Sequence, residues 1–165
     1  MLHKASIAGL TMDPTSNTPI IILKTEHSDQ AVPIWIGLLE ATSIASVLQN
    51  VKFERPMTHD LFKQFSEHLN IKVTKVEVCD LRENTFYALI YFDSNGSSFS
   101  LDARPSDAIA IALRFAAPIY IDEKVIEKSK GEEGEVEVLD QSEEGKKWAE
   151  YLEKLSPEDF GKYKV

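Results

Sequence analysis

The chain has 165 residues, with 27 acidic side chains against 18 basic ones and a net charge of -9, and no apolar run long enough to span a membrane. A chain of this size folds as one domain with a tail and buries about 70% of its unfolded surface, and its single cysteine, Cys79, excludes a disulfide within it. The acidity is uneven: residues 121–165 carry 14 acids against 8 bases, and no part has the basic surplus with which a protein grips a phosphate backbone. Met1-Leu2-His3-Lys4-Ala5 lacks the basic-then-apolar layout of a signal peptide. Together with one unpaired cysteine, this gives a reducing, cytoplasmic setting as the expectation.

Residues 2–11 and 18–25 read as strands, separated by a turn at Asp13-Pro14-Thr15-Ser16-Asn17. The second, with Pro19-Ile20-Ile21-Ile22-Leu23, is apolar on both faces and is expected inside a sheet. A polar turn leads into Val32-Pro33-Ile34-Trp35-Ile36-Gly37, a third strand in which Pro33 requires an edge or a bulge. After Gly37 the spacing of Ala41, Ile44, Ala45 and Leu48 predicts a helix with that face buried. A second helix follows the Arg55-Pro56 turn, with Thr58 as N-cap and Leu61, Phe62, Phe65 and Leu69 as its apolar stripe.

A meander of three strands comes next. In residues 71–79 the apolar phase slips between Val73 and Val76, which implies a bulge. Residues 85–92 are apolar on both faces, and Asn95-Gly96 is a tight hairpin turn. In 98–102, Phe99 and Leu101 alternate with polar residues, as in a half-buried strand. The third helix, 106–116, is apolar almost all round, as a helix inside a protein is. A short strand at 118–121, a short helix at 122–129 and a linker, Gly131-Glu132-Glu133-Gly134, follow. A last helix near 142–155 puts Trp148, Tyr151, Leu152 and Leu155 on one stripe. Grouped antiparallel strands with interspersed helices make the fold class α+β, a mixed, largely antiparallel sheet with helices packed against it. The expected division is a domain over 1–130 and an acidic linker with a helical tail over 131–165.

Two Arg-Pro turns concentrate the polar chemistry. Asp102-Ala103-Arg104-Pro105-Ser106-Asp107 opens the third helix, and Arg55-Pro56-Met57-Thr58-His59-Asp60 opens the second. Two readings stand side by side. In the first, Ser106 and Thr58 cap their helices, Asp107 and Asp60 complement the helix dipoles, and Asp102 pairs with Arg104. In the second, the turns form a site. Arg55 and Arg104, with Ser106 and Thr58, hold an anion at the helix N-termini. Asp102, Asp107, Asp60 and Glu40, the last from the start of the first helix, hold a divalent cation such as Mg²⁺. His59, which belongs to the residue type that titrates near neutrality, acts as general acid or base. This second reading requires the three helix starts to converge on one open cleft. The chain holds no Walker loop, nucleotide-binding Gly-rich turn, zinc spacing or nucleophile elbow.

These motifs resemble a known family. Pro33-Ile34-Trp35-Ile36-Gly37, Glu40-Ala41, Arg55 through Leu61, Phe86-Tyr87-Ala88 and Leu101 through Ala108 are closely similar to the bifunctional nuclease domain family. The resemblance spans residues 2–130, and Pro157-Glu158-Asp159-Phe160 resembles a tail of bacterial members. It implies an α+β domain, a homo-oligomer with a dimer favoured, and cleavage of RNA and DNA. On the family's polar motif positions, the candidate catalytic residues are Asp102, Asp107, His59, Arg104 and Arg55. A divalent cation held by the carboxylates would activate water, the arginines would stabilise phosphate charge, and His59 would move a proton. The competing expectation is a non-catalytic oligomeric module that binds an anion or a partner with the same residues. Neither involves a membrane.

Overall fold

β1 (Leu2–Met12), β2 (Pro19–Thr25) and β3 (Ala31–Trp35) form an antiparallel meander. β4 (Ile71–Arg82), β5 (Thr85–Ser94) and β6 (Ser97–Ala103) form a second one. The two are joined by β7 (Ile119–Asp122), which lies antiparallel to β1 and parallel to β4. The result is one seven-stranded sheet in the order β3-β2-β1-β7-β4-β5-β6, mixed but largely antiparallel, with helices packed on it. The fold is α+β, as the grouping of antiparallel strands predicts. This computed structural model describes residues 1–28 and 30–132. The tail helix expected near 142–155, and the linker from Glu133 onward, lie outside the described residues.

Four helices complete the described chain: α1 (Leu38–Leu48), α2 (Thr58–His68), α3 (Pro105–Phe115) and α4 (Glu123–Glu132). α4 continues through Gly131 and Glu132, where the composition suggested a linker. Ile21 and Leu23 of β2, Ile34 of β3, Ile44 of α1, Ile109 of α3 and Ile121 of β7 are fully buried and form the centre of the core. Pro33 sits on β3, at the sheet edge, where a residue without an N–H is tolerated. β4 is bulged between Val73 and Lys75 as its apolar phase predicts, and again between Val78 and Asp80. No helix among the described residues is long and apolar enough to cross a membrane.

α3 explains the placement of the site. Its Ala108, Ile109, Ala110, Ile111 and Ala112 are buried, and the small side chains let α1 and α2 pack closely against it. Three helix starts are thereby drawn together. α1 begins directly after β3, α2 after the Arg55-Pro56 turn, and α3 directly after β6.

Several local expectations are corrected. Thr58 is not the cap of α2. The chain leaves Pro56 extended through Met57, which takes the N-cap position, and Asp60 reaches back to accept the Met57 N–H at 3.0 Å. Ser106 does not cap α3 either, because Pro105 already occupies the first helical position and Arg104 is the N-cap. Leu48, Leu61, Phe65 and Leu69 are exposed, not buried. α2 lies against the core through Phe62 and Ser66, one step round the helix from Leu61 and Phe65. β6 is the far edge strand, so its Phe99 and Leu101 remain exposed, with Phe99 stacked on Phe92 at 5.1 Å between ring centroids.

Candidate functional site

Where α1, α2 and α3 begin, one polar network links them. The Arg104 guanidinium lies between two carboxylates, with Nη1 2.8 Å from Glu40 Oε1 and Nε 2.7 Å from Asp107 Oδ2. The second Asp107 oxygen meets His59 Nε2 at 2.9 Å. The other ring nitrogen, Nδ1, is 2.8 Å from the Ser43 hydroxyl. Glu40, Ser43, His59, Arg104 and Asp107 thus form a continuous chain of contacts drawn from all three helices. The three helix starts converge, which is one of the two things that the site reading required.

Each member is held by local structure. Glu40 stands in the first turn of α1, where a carboxylate suits the dipole, and its side chain folds back over Gly37. A Cβ on Gly37 would collide with that carboxylate, so the glycine permits the close approach. His59 is mostly buried, at 15% side-chain exposure, whereas Arg104 is 65% exposed and gives the network its open side. Burial pushes the Asp107 carboxyl up, but the hydrogen bonds from Arg104 and His59 outweigh it. The net effect holds the group below the ordinary carboxylate value.

A second ion pair supports the first. Arg114, 5% exposed, sets its Nε 2.6 Å from Asp60 Oδ1 and donates from Nη1 to the Ser43 and Ala110 carbonyls, at 3.3 and 3.0 Å. It also lines a cavity of about 350 Å³ between the end of α1, the 51–56 segment and the start of α2. Lys52 and Arg55 stand on that cavity, exposed, and neither makes an ion pair with another described residue. The cavity, one turn of α1 beyond Ser43, thus sets these two exposed cations beside the carboxylates of Glu54 and Asp60.

The structure sorts the predicted residues. It brings Glu40, His59, Arg104 and Asp107 together and sets Asp60 and Arg55 on the adjoining cavity. Asp102 is exposed on β6, and its carboxylate makes no hydrogen bond or ion pair with another described residue, so its expected pairing with Arg104 does not form. Arg104 turns instead to Glu40 and Asp107, across the helix starts. Thr58 is exposed at the first residue of α2, and Ser106 is buried under the first turn of α3. The carboxylates do not fit a divalent cation in this arrangement. Arg104 already supplies the positive charge between Glu40 and Asp107, Arg114 supplies it at Asp60, and no three His, Cys, Asp or Glu side chains among the described residues gather as a metal-binding group. Two residues escaped the sequence reading. Ser43 carries no motif of its own. Arg114 did carry a signal, because a lone charge in the apolar run of α3 must find a partner.

These motifs lie within a region of the chain that matches a known family. The family model of the bifunctional nuclease domain matches residues 21–133. An uncharacterized protein of Mycobacterium tuberculosis (strain ATCC 25618 / H37Rv) is 36% identical over 164 residues, 96% of this chain and 98% of the relative. Bifunctional nuclease 1 of Oryza sativa subsp. japonica is 29% identical over 109 residues, 64% of this chain and 33% of the plant protein. Bifunctional nuclease 1 of Arabidopsis thaliana is 28% identical over 107 residues, 62% of this chain and again 33% of the relative.

Proposed function

This chain belongs to the bifunctional nuclease domain family, and from that premise we propose that it hydrolyses phosphodiester bonds of RNA and DNA at the junction of α1, α2 and α3. The observation that carries the reading is the placement of His59. It is held between a hydroxyl and an ionised carboxylate, at 2.8 and 2.9 Å, beside an exposed guanidinium. Phosphodiester hydrolysis needs a proton moved and negative charge stabilised, and His59 and Arg104 are the groups suited to those tasks. Lys52 and Arg55, on the adjoining cavity, would hold the backbone of the strand and offset the acidity of the chain as a whole.

No step in this reading passes through a metal ion. His59→Ala should lower the cleavage rate of a labelled single strand by about 10²- to 10⁴-fold, with or without chelator present. Equal rates for the variant and the wild type would refute the assignment. Stabilisation of the protein by nucleotides without any turnover would favour the binding-module reading instead.

We also infer that the chain associates with a second copy. Leu61, Phe65 and Leu69 of α2 and Phe99 and Leu101 of the edge strand β6 expose apolar surface that a solitary soluble domain rarely carries. A cytoplasmic setting suits the free, half-buried thiol of Cys79.

A further inference from the structure

We propose that Ser43 is a covalent nucleophile, activated by His59 and oriented through Asp107, whose hydroxyl attacks the substrate phosphorus and takes on the nucleotidyl fragment that keeps it. The inference rests on the hydrolytic reading above and goes beyond it by naming the attacking atom.

The direction of each hydrogen bond follows from the network. Asp107 is paired with Arg104 and therefore accepts only. His59 must then donate its Nε2–H to Asp107, which leaves Nδ1 of the neutral ring as an acceptor. The Ser43 O–H donates to that nitrogen, at 2.8 Å. This is the arrangement of nucleophile, base and orienting carboxylate that activates a serine, with the ring nitrogens interchanged relative to the commoner pattern.

Ser43 is also unusual for a helical hydroxyl. Such a group ordinarily bonds back to the carbonyl four residues earlier, as its neighbour Thr42 does to Leu38 at 2.8 Å. Ser43 turns to His59 instead, and its own carbonyl is tied down by Arg114 and by the Ser46 hydroxyl. The backbone beneath the hydroxyl is thus fixed from below. A nuclease that cuts DNA as well as RNA cannot rely on a 2′-hydroxyl of its substrate. The attacking oxygen must come from the protein or from water, and the basic nitrogen of His59 is already engaged by Ser43.

The reaction balances with water as the only co-reactant. Ser43 Oγ attacks phosphorus as its proton passes to His59 Nδ1. The bond from phosphorus to the leaving nucleoside oxygen breaks, and His59 returns the proton to that oxygen. Water then attacks the phosphorus of this serine–nucleotide diester, giving a proton to His59, and the bond from phosphorus to Oγ breaks as His59 reprotonates Ser43. Two displacements at phosphorus leave its configuration retained, whereas direct attack by water inverts it.

Two measurements on the full chain test this. The first is cleavage in ¹⁸O-water of a DNA strand carrying one Rp phosphorothioate linkage. The second is mass analysis after treatment with a fluorophosphonate, using wild type, Ser43→Ala and His59→Ala. Alanine at position 43 suits a helix, so that variant keeps its fold. The expected results are net retention, one adduct located at Ser43, no adduct in Ser43→Ala and at least tenfold less in His59→Ala. Cleavage with inversion and no adduct at Ser43 overturns the nucleophile and leaves the nuclease reading standing. An adduct at Ser43 without cleavage of any strand upholds the nucleophile and overturns the nuclease reading. Neither cleavage nor adduct overturns both.

Discussion

Asp107 serves His59 with one oxygen and Arg104 with the other, and its chemistry was partly legible before any fold was known. Glu40, His59, Arg104 and Asp107 stand in or beside the first turns of predicted helices, so their approximate placement followed from the turns. Ser43 was not legible, because a serine inside a helical pattern looks the same whether it bonds to its own backbone or to a distant ring. Only the packing of α1 against α2 and α3 decides that. The same carboxylates set an acid dependence. Asp107 is held below its ordinary value by its two partners. Asp13 is lowered to about 2, chiefly by the Trp35 indole N–H at 3.0 Å. A carboxyl depressed on folding contributes stability above its unfolded pKa and loses it as pH falls through the folded one. The urea midpoint should therefore drop between about pH 4 and about pH 2, with the Asp13 carboxyl titrating near the lower limit by carbon NMR. A midpoint constant across that window would contradict these pairings.

At the scale of elements, periodicity located the strands and helices well and erred where burial was at issue. The stripe Leu61, Phe62, Phe65 and Leu69 was a correct signature of a helix. It could not say that the helix would sit at a rim, with Ser66 buried and Phe62 half-buried. β6 likewise alternates as predicted, but as an edge strand it leaves Phe99 and Leu101 uncovered. Helix ends were the least legible part. α3 closes with Ala116 in the left-handed region at φ 51, its N–H directed to the Leu113 carbonyl and that of Ala117 to Ala112. Asn50 and Asn70 take left-handed positions just beyond α1 and α2, with residues better suited to them. Ala116→Gly should accordingly raise stability by about 0.5–1 kcal/mol in urea unfolding. A loss of stability would show that the alanine methyl has a packing role.

At the scale of the whole molecule, the sheet depends on β7. This strand comes late in the described chain, yet it lies between β1 and β4 and joins the two meanders. The grouping of antiparallel strands was legible in the sequence. The insertion of a four-residue strand at the centre was not, because its partners lie far away along the chain. The exposed apolar residues of α2 and β6 predict self-association. Light scattering should give a mass above 18.6 kDa for the wild type and a shift toward the monomer for Phe65→Glu, at 61% exposure in the single chain. A monomeric wild type would exclude that interface. The hydrolytic centre is tested most directly by the kcat of Asp107→Asn on a labelled DNA strand, relative to the wild type. The variant keeps the shape of the side chain but removes the charge that orients His59 and pairs with Arg104. A fall of at least about 10²-fold is predicted, and an unchanged kcat would contradict the account.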